Sequence, residues 1–137
     1  MKSLTKIALS ALSALSLAAC ASQSNTASLD AQLQGSWRIT SALGLSTEQA
    51  DNEAVINFTD SGSVNGCAGV NNFFGSYQIE NGVISFGSMG MTRMMGRNQH
   101  IEDSVMKAIN DIKTIKVEGS LAKGFNAEGT EILVLSK

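Results

Sequence analysis

The sequence predicts a mainly β domain of the α+β kind: a small, antiparallel, partly open β-barrel of seven to eight strands with one packed amphipathic helix. Three observations carry that expectation. Short runs that alternate apolar and polar residues recur from Gly35 to Ser136, the period of a half-buried strand. The runs are punctuated by turn segments such as Asp60-Ser61-Gly62 and Glu80-Asn81-Gly82, which favour hairpins and so antiparallel pairing. One stretch, Gln99 to Lys113, changes period. Its Ile101, Val105, Ala108, Ile109 and Ile112 fall on one helical face, with Asp103, Lys107 and Asp111 opposite. A chain of 137 residues has room for one such domain.

The N-terminus stands apart. Lys2 and Lys6 precede an uncharged apolar run from Ile7 to Leu17, too short for a comfortable membrane span and laid out as a secretory signal. It ends in Leu17-Ala18-Ala19-Cys20, which resembles the bacterial lipobox. That resemblance implies a signal peptide over residues 1–19, cleavage before Cys20 and acylation of Cys20 with palmitate-type chains. Two or more chains anchor stably where one does not. Ala21 follows the cysteine in place of aspartate, which by similarity to enterobacterial sorting implies the outer membrane, facing the periplasm. Residues 20–31 are small and polar and read as a lipidated flexible tether, reaching roughly 20 Å on average. The domain proper is then expected over residues 32–137.

Removing residues 1–19 takes away Lys2 and Lys6, so eight basic side chains face twelve acidic ones and the net charge is −4. A mildly acidic domain lacks the electrostatic footprint of a nucleic-acid binder. With Cys20 acylated, Cys67 is the one thiol left. No internal disulfide can form, and the fold stands on its core.

Taken in order, Gly35 to Ser41 is the first strand, with Trp37 and Ile39 inward. Ser46 to Glu53 is a polar loop. Ala54 to Thr59, with Ala54, Ile56 and Phe58 on one face, turns through Asp60-Ser61-Gly62 into Ser63 to Gly66. Ser76 to Ile79 pairs with Val83 to Phe86 across Asn81-Gly82, a strong hairpin signal. Met89 to Gly96 is irregular and methionine-rich; the helix follows. Thr114 to Glu118, Leu121 to Phe125 and Glu131 to Ser136 complete the strands. The run Ile132-Leu133-Val134-Leu135 suits a strand buried on both faces, or one flanked by covered edges.

The middle of the chain, Val64 to Tyr77, packs glycines, asparagines and aromatics together. Asn71-Asn72-Phe73-Phe74-Gly75-Ser76-Tyr77, followed by Met91-Thr92-Arg93-Met94-Met95-Gly96 and a helix, resembles the META domain, the family of the heat-inducible lipoprotein HslJ. The resemblance covers residues 32–137. It implies a compact barrel-like fold with one helix in small envelope proteins tied to heat response, drug tolerance or motility, with no agreed activity. It makes Asn71, Phe73, Gly75, Tyr77, Thr92 and Met94 the structural residues of the motif. Many members carry a cysteine before the motif asparagine and another after Thr-x-Met. Here Val70 and Met95 or Gly96 stand there, so any such disulfide is absent and the two segments must meet by packing. The family is also similar in fold to pilotin lipoproteins, which bind lipid and escort outer-membrane proteins.

Candidate chemistry is sparse. Cys67 and His100, the single histidine, form a nucleophile and base only if they lie within hydrogen-bond reach; a small buried hydrophobic cysteine and a solvated histidine are the plainer expectation. Ser104-Val105-Met106-Lys107 matches Ser-x-x-Lys without the partner motifs of the penicillin-binding enzymes. One cysteine and one histidine make no closed zinc site, and no calcium-loop spacing occurs. The expectation is a protein without enzymatic activity, cofactor or metal. Met89, Met91, Met94 and Met95 are the remaining candidates: either a plug for the open end of the barrel or an apolar surface for a ligand or an envelope protein partner. Phe73, Phe74 and Tyr77 are expected in the core, with a ligand clamp as the alternative.

Overall fold

The computed structural model of the protein describes residues 28–137. The signal segment 1–19, the lipidation site Cys20 and the tether up to residue 27 lie outside the described residues. A short helix α1 (Leu29–Leu33) leads into β1 (Gly35–Ala42), β2 (Leu45–Ser46), β3 (Val55–Phe58), β4 (Ser63–Cys67), β5 (Asn72–Glu80), β6 (Val83–Phe86) and β7 (Gly90–Met91). The main helix α2 (Gln99–Asp111) follows, then β8 (Thr114–Glu118), β9 (Leu121–Phe125) and β10 (Glu131–Ser136).

Every pairing is antiparallel. The order β10-β9-β8-β6-β5-β4-β3-β1 closes on itself because β1 also pairs with β10. The ring is partly open at one seam, where β6 and β8 meet only through Val83 and Thr114. Eight strands make this ring; β2 and β7, of two residues each, lie off it. The β5–β6 hairpin turns through Asn81 and Gly82, with φ of 51° and 78°, the left-handed pair that a two-residue turn requires.

Strand alternation decides the core. Trp37 and Ile39, Ile56 and Phe58, Val64, Phe73 and Tyr77, Ile84, Ile115, Ala122, Leu133 and Leu135 all point inward and are buried. The apolar face of α2, through Val105, Ala108, Ile109 and Ile112, joins the same cluster. The helix packs against β1 and β10. The centre of the ring is therefore filled by side chains. Of the two alternatives for the last strand, covered edges are what the pairing shows: β9 and β1 flank β10.

Two expectations need correction. The tether was expected to run through residue 31, but Leu29–Leu33 is helical. Ser28 Oγ accepts from Ala31 N, Leu33 is fully buried and its carbonyl accepts from Trp37 Nε1 at 2.6 Å. One apolar residue with a docking bond holds this turn where composition alone suggested solvent. The second correction is Phe74. It is 60% exposed, because alternation along β5 places Phe73 and Tyr77 inside and turns Phe74 outward.

Candidate functional site

Three of the motif residues, Asn71, Thr92 and Met94, converge at the start of β5. Asn71, 2% exposed, uses its whole side-chain amide there. Its Nδ2 donates to the Met94 carbonyl and to Glu102 Oε1, both at 2.9 Å. Its Oδ1 accepts from Thr92 Oγ1 at 2.9 Å and from Met94 N at 2.5 Å. Two donors and two acceptors are thus satisfied, the full capacity of an amide. Thr92 Oγ1 in turn accepts from Asn72 N at 3.1 Å. The segments that the absent disulfide would join are therefore stitched by hydrogen bonds from Asn71, where packing alone was expected.

Glu102 completes the arrangement, and sequence reasoning missed it. It projects from the first turn of α2 and is 2% exposed. Oε2 accepts from Val70 N at 3.1 Å and from Asn71 N; Oε1 accepts from Asn71 Nδ2 and, at 2.5 Å, from Gln99 Nε2. Four N–H donors converge on two oxygens, the complement an ionised carboxyl accepts. With both oxygens occupied, this carboxylate is a fastener and has no lone pair turned to a substrate. A signal was present: Glu102 lies three residues before Val105 and seven before Ile109, so it shares their side of the helix.

The methionines divide between the two alternatives. Met89 and Met91 are half-buried against the core. A Cβ placed on Gly75 would lie 2.4 Å from Met89 Sδ and 2.8 Å from the Ser88 carbonyl, so glycine is what lets this segment close over β5. Met91 pairs with Phe73. Met94 and Met95 are 56% and 92% exposed, on a backbone that Asn71 holds. The first pair plugs; the second presents. Arg93 and Arg97 flank the exposed pair, and Arg97 N donates to Asp51 Oδ2 at 2.6 Å.

The remaining candidates have other partners. Cys67 is half-buried, with Sγ accepting from Gly69 N at 3.4 Å, while His100 is exposed on α2. Among the described residues no hydrogen bond joins the two. Ser104 Oγ donates to the His100 carbonyl, and Lys107 pairs with Asp111 at 2.6 Å, so Ser104 and Lys107 serve the helix. Among the described residues no cluster of three or more His, Cys, Asp or Glu side chains gathers as for a metal ion. No helix among them is long and apolar enough to cross a membrane.

At the other end of β5, Tyr77 is 4% exposed. Its hydroxyl lies 2.8 Å from Asp30 Oδ1 and 2.9 Å from the Thr59 carbonyl, tying α1 to the ring. Burial, reinforced by the bond to Asp30 and the nearby Asp60 charge, pushes its pKa up to about 12.

Comparison with known proteins agrees with this geometry. The family model described as "META domain" matches residues 29–135. An NMR structure of a protein from Burkholderia xenovorans is similar at a TM-score of 0.63 and 21% identity, covering 78% of this chain and 84% of that one. A second NMR structure, titled only as a protein, is similar at 0.61 and 19%, covering 78% and 92%. A crystal structure of a DUF4847 family protein from Bacteroides vulgatus is similar at 0.55 and 10%, covering 76% and 92%. At such identities these likenesses show the fold alone. No curated protein matches the chain.

Proposed function

This chain belongs to the META-domain family, and from that premise we propose that it is a non-enzymatic, lipid-anchored envelope protein that meets an apolar ligand or protein partner through Met94 and Met95. In this reading acylated Cys20 holds it on the periplasmic side of the outer membrane, and its role is envelope maintenance or stress tolerance. The observation that supports it most is the exposed methionine pair on a rigid backbone. A flexible, polarisable thioether adapts to irregular apolar surfaces, and a clamped backbone lowers the entropy lost on docking. The filled centre of the ring argues for contact on this outer corner over an acyl chain held inside, as a pilotin-like escort would need.

Two measurements test it. Labelled palmitate should enter the wild-type protein in cells and not the Cys20→Ala variant; unchanged labelling would remove the anchor from the reading. A photo-crosslinking residue at position 95 should give a discrete adduct that Met94→Ser weakens, whereas one at exposed Glu128 should give none. Equal patterns at both positions would remove Met94 and Met95 as the contact.

A further inference from the structure

Opposite the core, the outer face of β3, β4 and β5 has an unusual chemistry. Register places Ser36, Asn57, Asn65, Phe74 and Gly90 in one row across five strands. None carries a charge. The outward positions continue with Cys67 and Asn72 on one side and with Ser63, Ser76 and Gln78 on the other. Among the described residues, charges stand at the margins: Arg38, which is paired with Glu53, Glu80, and Asp60 in the turn between β3 and β4, which borders one concavity with Gln78. In a chain with ten basic and twelve acidic residues, a neutral sheet face of amides and hydroxyls around one exposed aromatic ring offers nothing to an ionic ligand. It matches a neutral one rich in hydroxyls.

We propose that this face is a binding site for a neutral sugar chain bearing hydroxyl or acetamido groups. Phe74 supplies the platform. Its ring lies so close to Gly90 that a Cβ there would meet it at 2.4 Å, so the Gly90 backbone covers part of the ring, and its 60% exposure leaves the rest to the ligand. The axial C–H face of a pyranose carries slight positive charge and stacks on the negative face of such a ring. The amides supply direction. Asn57 Nδ2 donates to Asn65 Oδ1 at 3.1 Å, which orients both groups and leaves an acceptor on Asn57 and donors on Asn65 for sugar oxygens and hydrogens. Among the described residues, the side-chain amides of Asn72 and Gln78 have no protein partner. Asn57, Asn65, Asn72 and Phe74 border a concavity of about 410 Å³. Further along β5 a second, of about 510 Å³, is bordered by Ser76, Gln78 and Ser85. From Asn72 to Gln78 the strand runs roughly 20 Å, long enough for several sugar rings end to end. The site is separate from Met94 and Met95, and neither reading needs the other.

The test is titration of the full, isotope-labelled chain in detergent with chitotetraose, cellotetraose and maltotetraose, followed by amide NMR shifts. At least one sugar should move the amides of Asn57, Asn65, Asn72 and Phe74 saturably. Phe74→Ala should weaken that binding roughly 3- to 10-fold, Phe74→Trp should restore it, and Met95→Ala should leave it unchanged. Asn65→Asp, which places a charge in the neutral row without uncovering Gly90, should weaken it as well and serves if Phe74→Ala does not fold. No shift on this row with any of the three sugars would overturn the proposal. So would shifts that persist unchanged in both the Phe74 and Asn65 variants.

Discussion

Glu102 shows how much a single side chain can organise. It is a buried carboxyl that makes no ion pair among the described residues and is held by four N–H donors from three residues. Glu102→Gln keeps the shape but turns an NH₂ group toward those donors. It should cost about 1–3 kcal/mol, the range for burying unmatched polar groups, and urea unfolding would read the loss directly. A midpoint within error of wild type would show that the donors are not specific to a carboxylate. Tyr77 offers a test of the other end. Its folded pKa of about 12 lies above the ordinary value near 10, so the protonated hydroxyl is favoured in the folded state. That stabilisation is whole below about pH 10 and is lost as pH climbs from about 10 toward 12. Tyr77 is the single tyrosine, so phenolate absorbance follows it without ambiguity. Tyr77→Phe should lose about 1–2 kcal/mol at neutral pH and lack this alkaline decline. An equal decline in both proteins would assign it to other groups.

Among the elements, β5 is the organiser. One face fills the ring with Phe73 and Tyr77; the other displays Asn72 and Phe74. Its first residues receive the methionine segment and its far end receives α1. Close approach at Gly75 makes this possible. Gly75→Ala should displace Met89 and the Ser88 carbonyl, costing about 1–3 kcal/mol as an overpacked site does. Met89→Ala in the same chain should recover part of that cost in a double-mutant cycle, because only the side-chain clash is relieved. Strictly additive losses would mean that Met89 is not the obstacle.

At the scale of the whole molecule, stability follows ring closure. β1 and β10 lie far apart in sequence and form one of the most extensive pairings in the ring, while β6 and β8 share a single residue pair. Amide exchange should therefore be slowest in β1, β9 and β10 and fastest among the strands at the edges of β6 and β8 that face each other. Uniform protection around the ring would show that α2 and the core side chains, and not strand pairing, set the local stability. Because the described residues contain one cysteine, Cys67, and it is free, none of this rests on a covalent staple.

Local pattern determined a great deal here. Alternation in Trp37-x-Ile39 and Ile56-x-Phe58, the Asn81-Gly82 turn and the i, i+4, i+7 stripe of α2 each specify an element through nearest-neighbour geometry alone, and the motif from Asn71 to Tyr77 was enough to suggest the family. What the pattern could not decide was anything that depends on elements distant in sequence. It did not reveal that Glu102 receives the backbone of Val70 and Asn71, because an acidic residue near a helix start reads locally as a solvated one. It did not sort Met89 and Met91 from Met94 and Met95, since burial depends on where β5 lies. Nor did it show that Ser36, Asn57, Asn65 and Phe74 form one row. Register is a property of paired strands, and only the closed sheet brings those four side chains side by side.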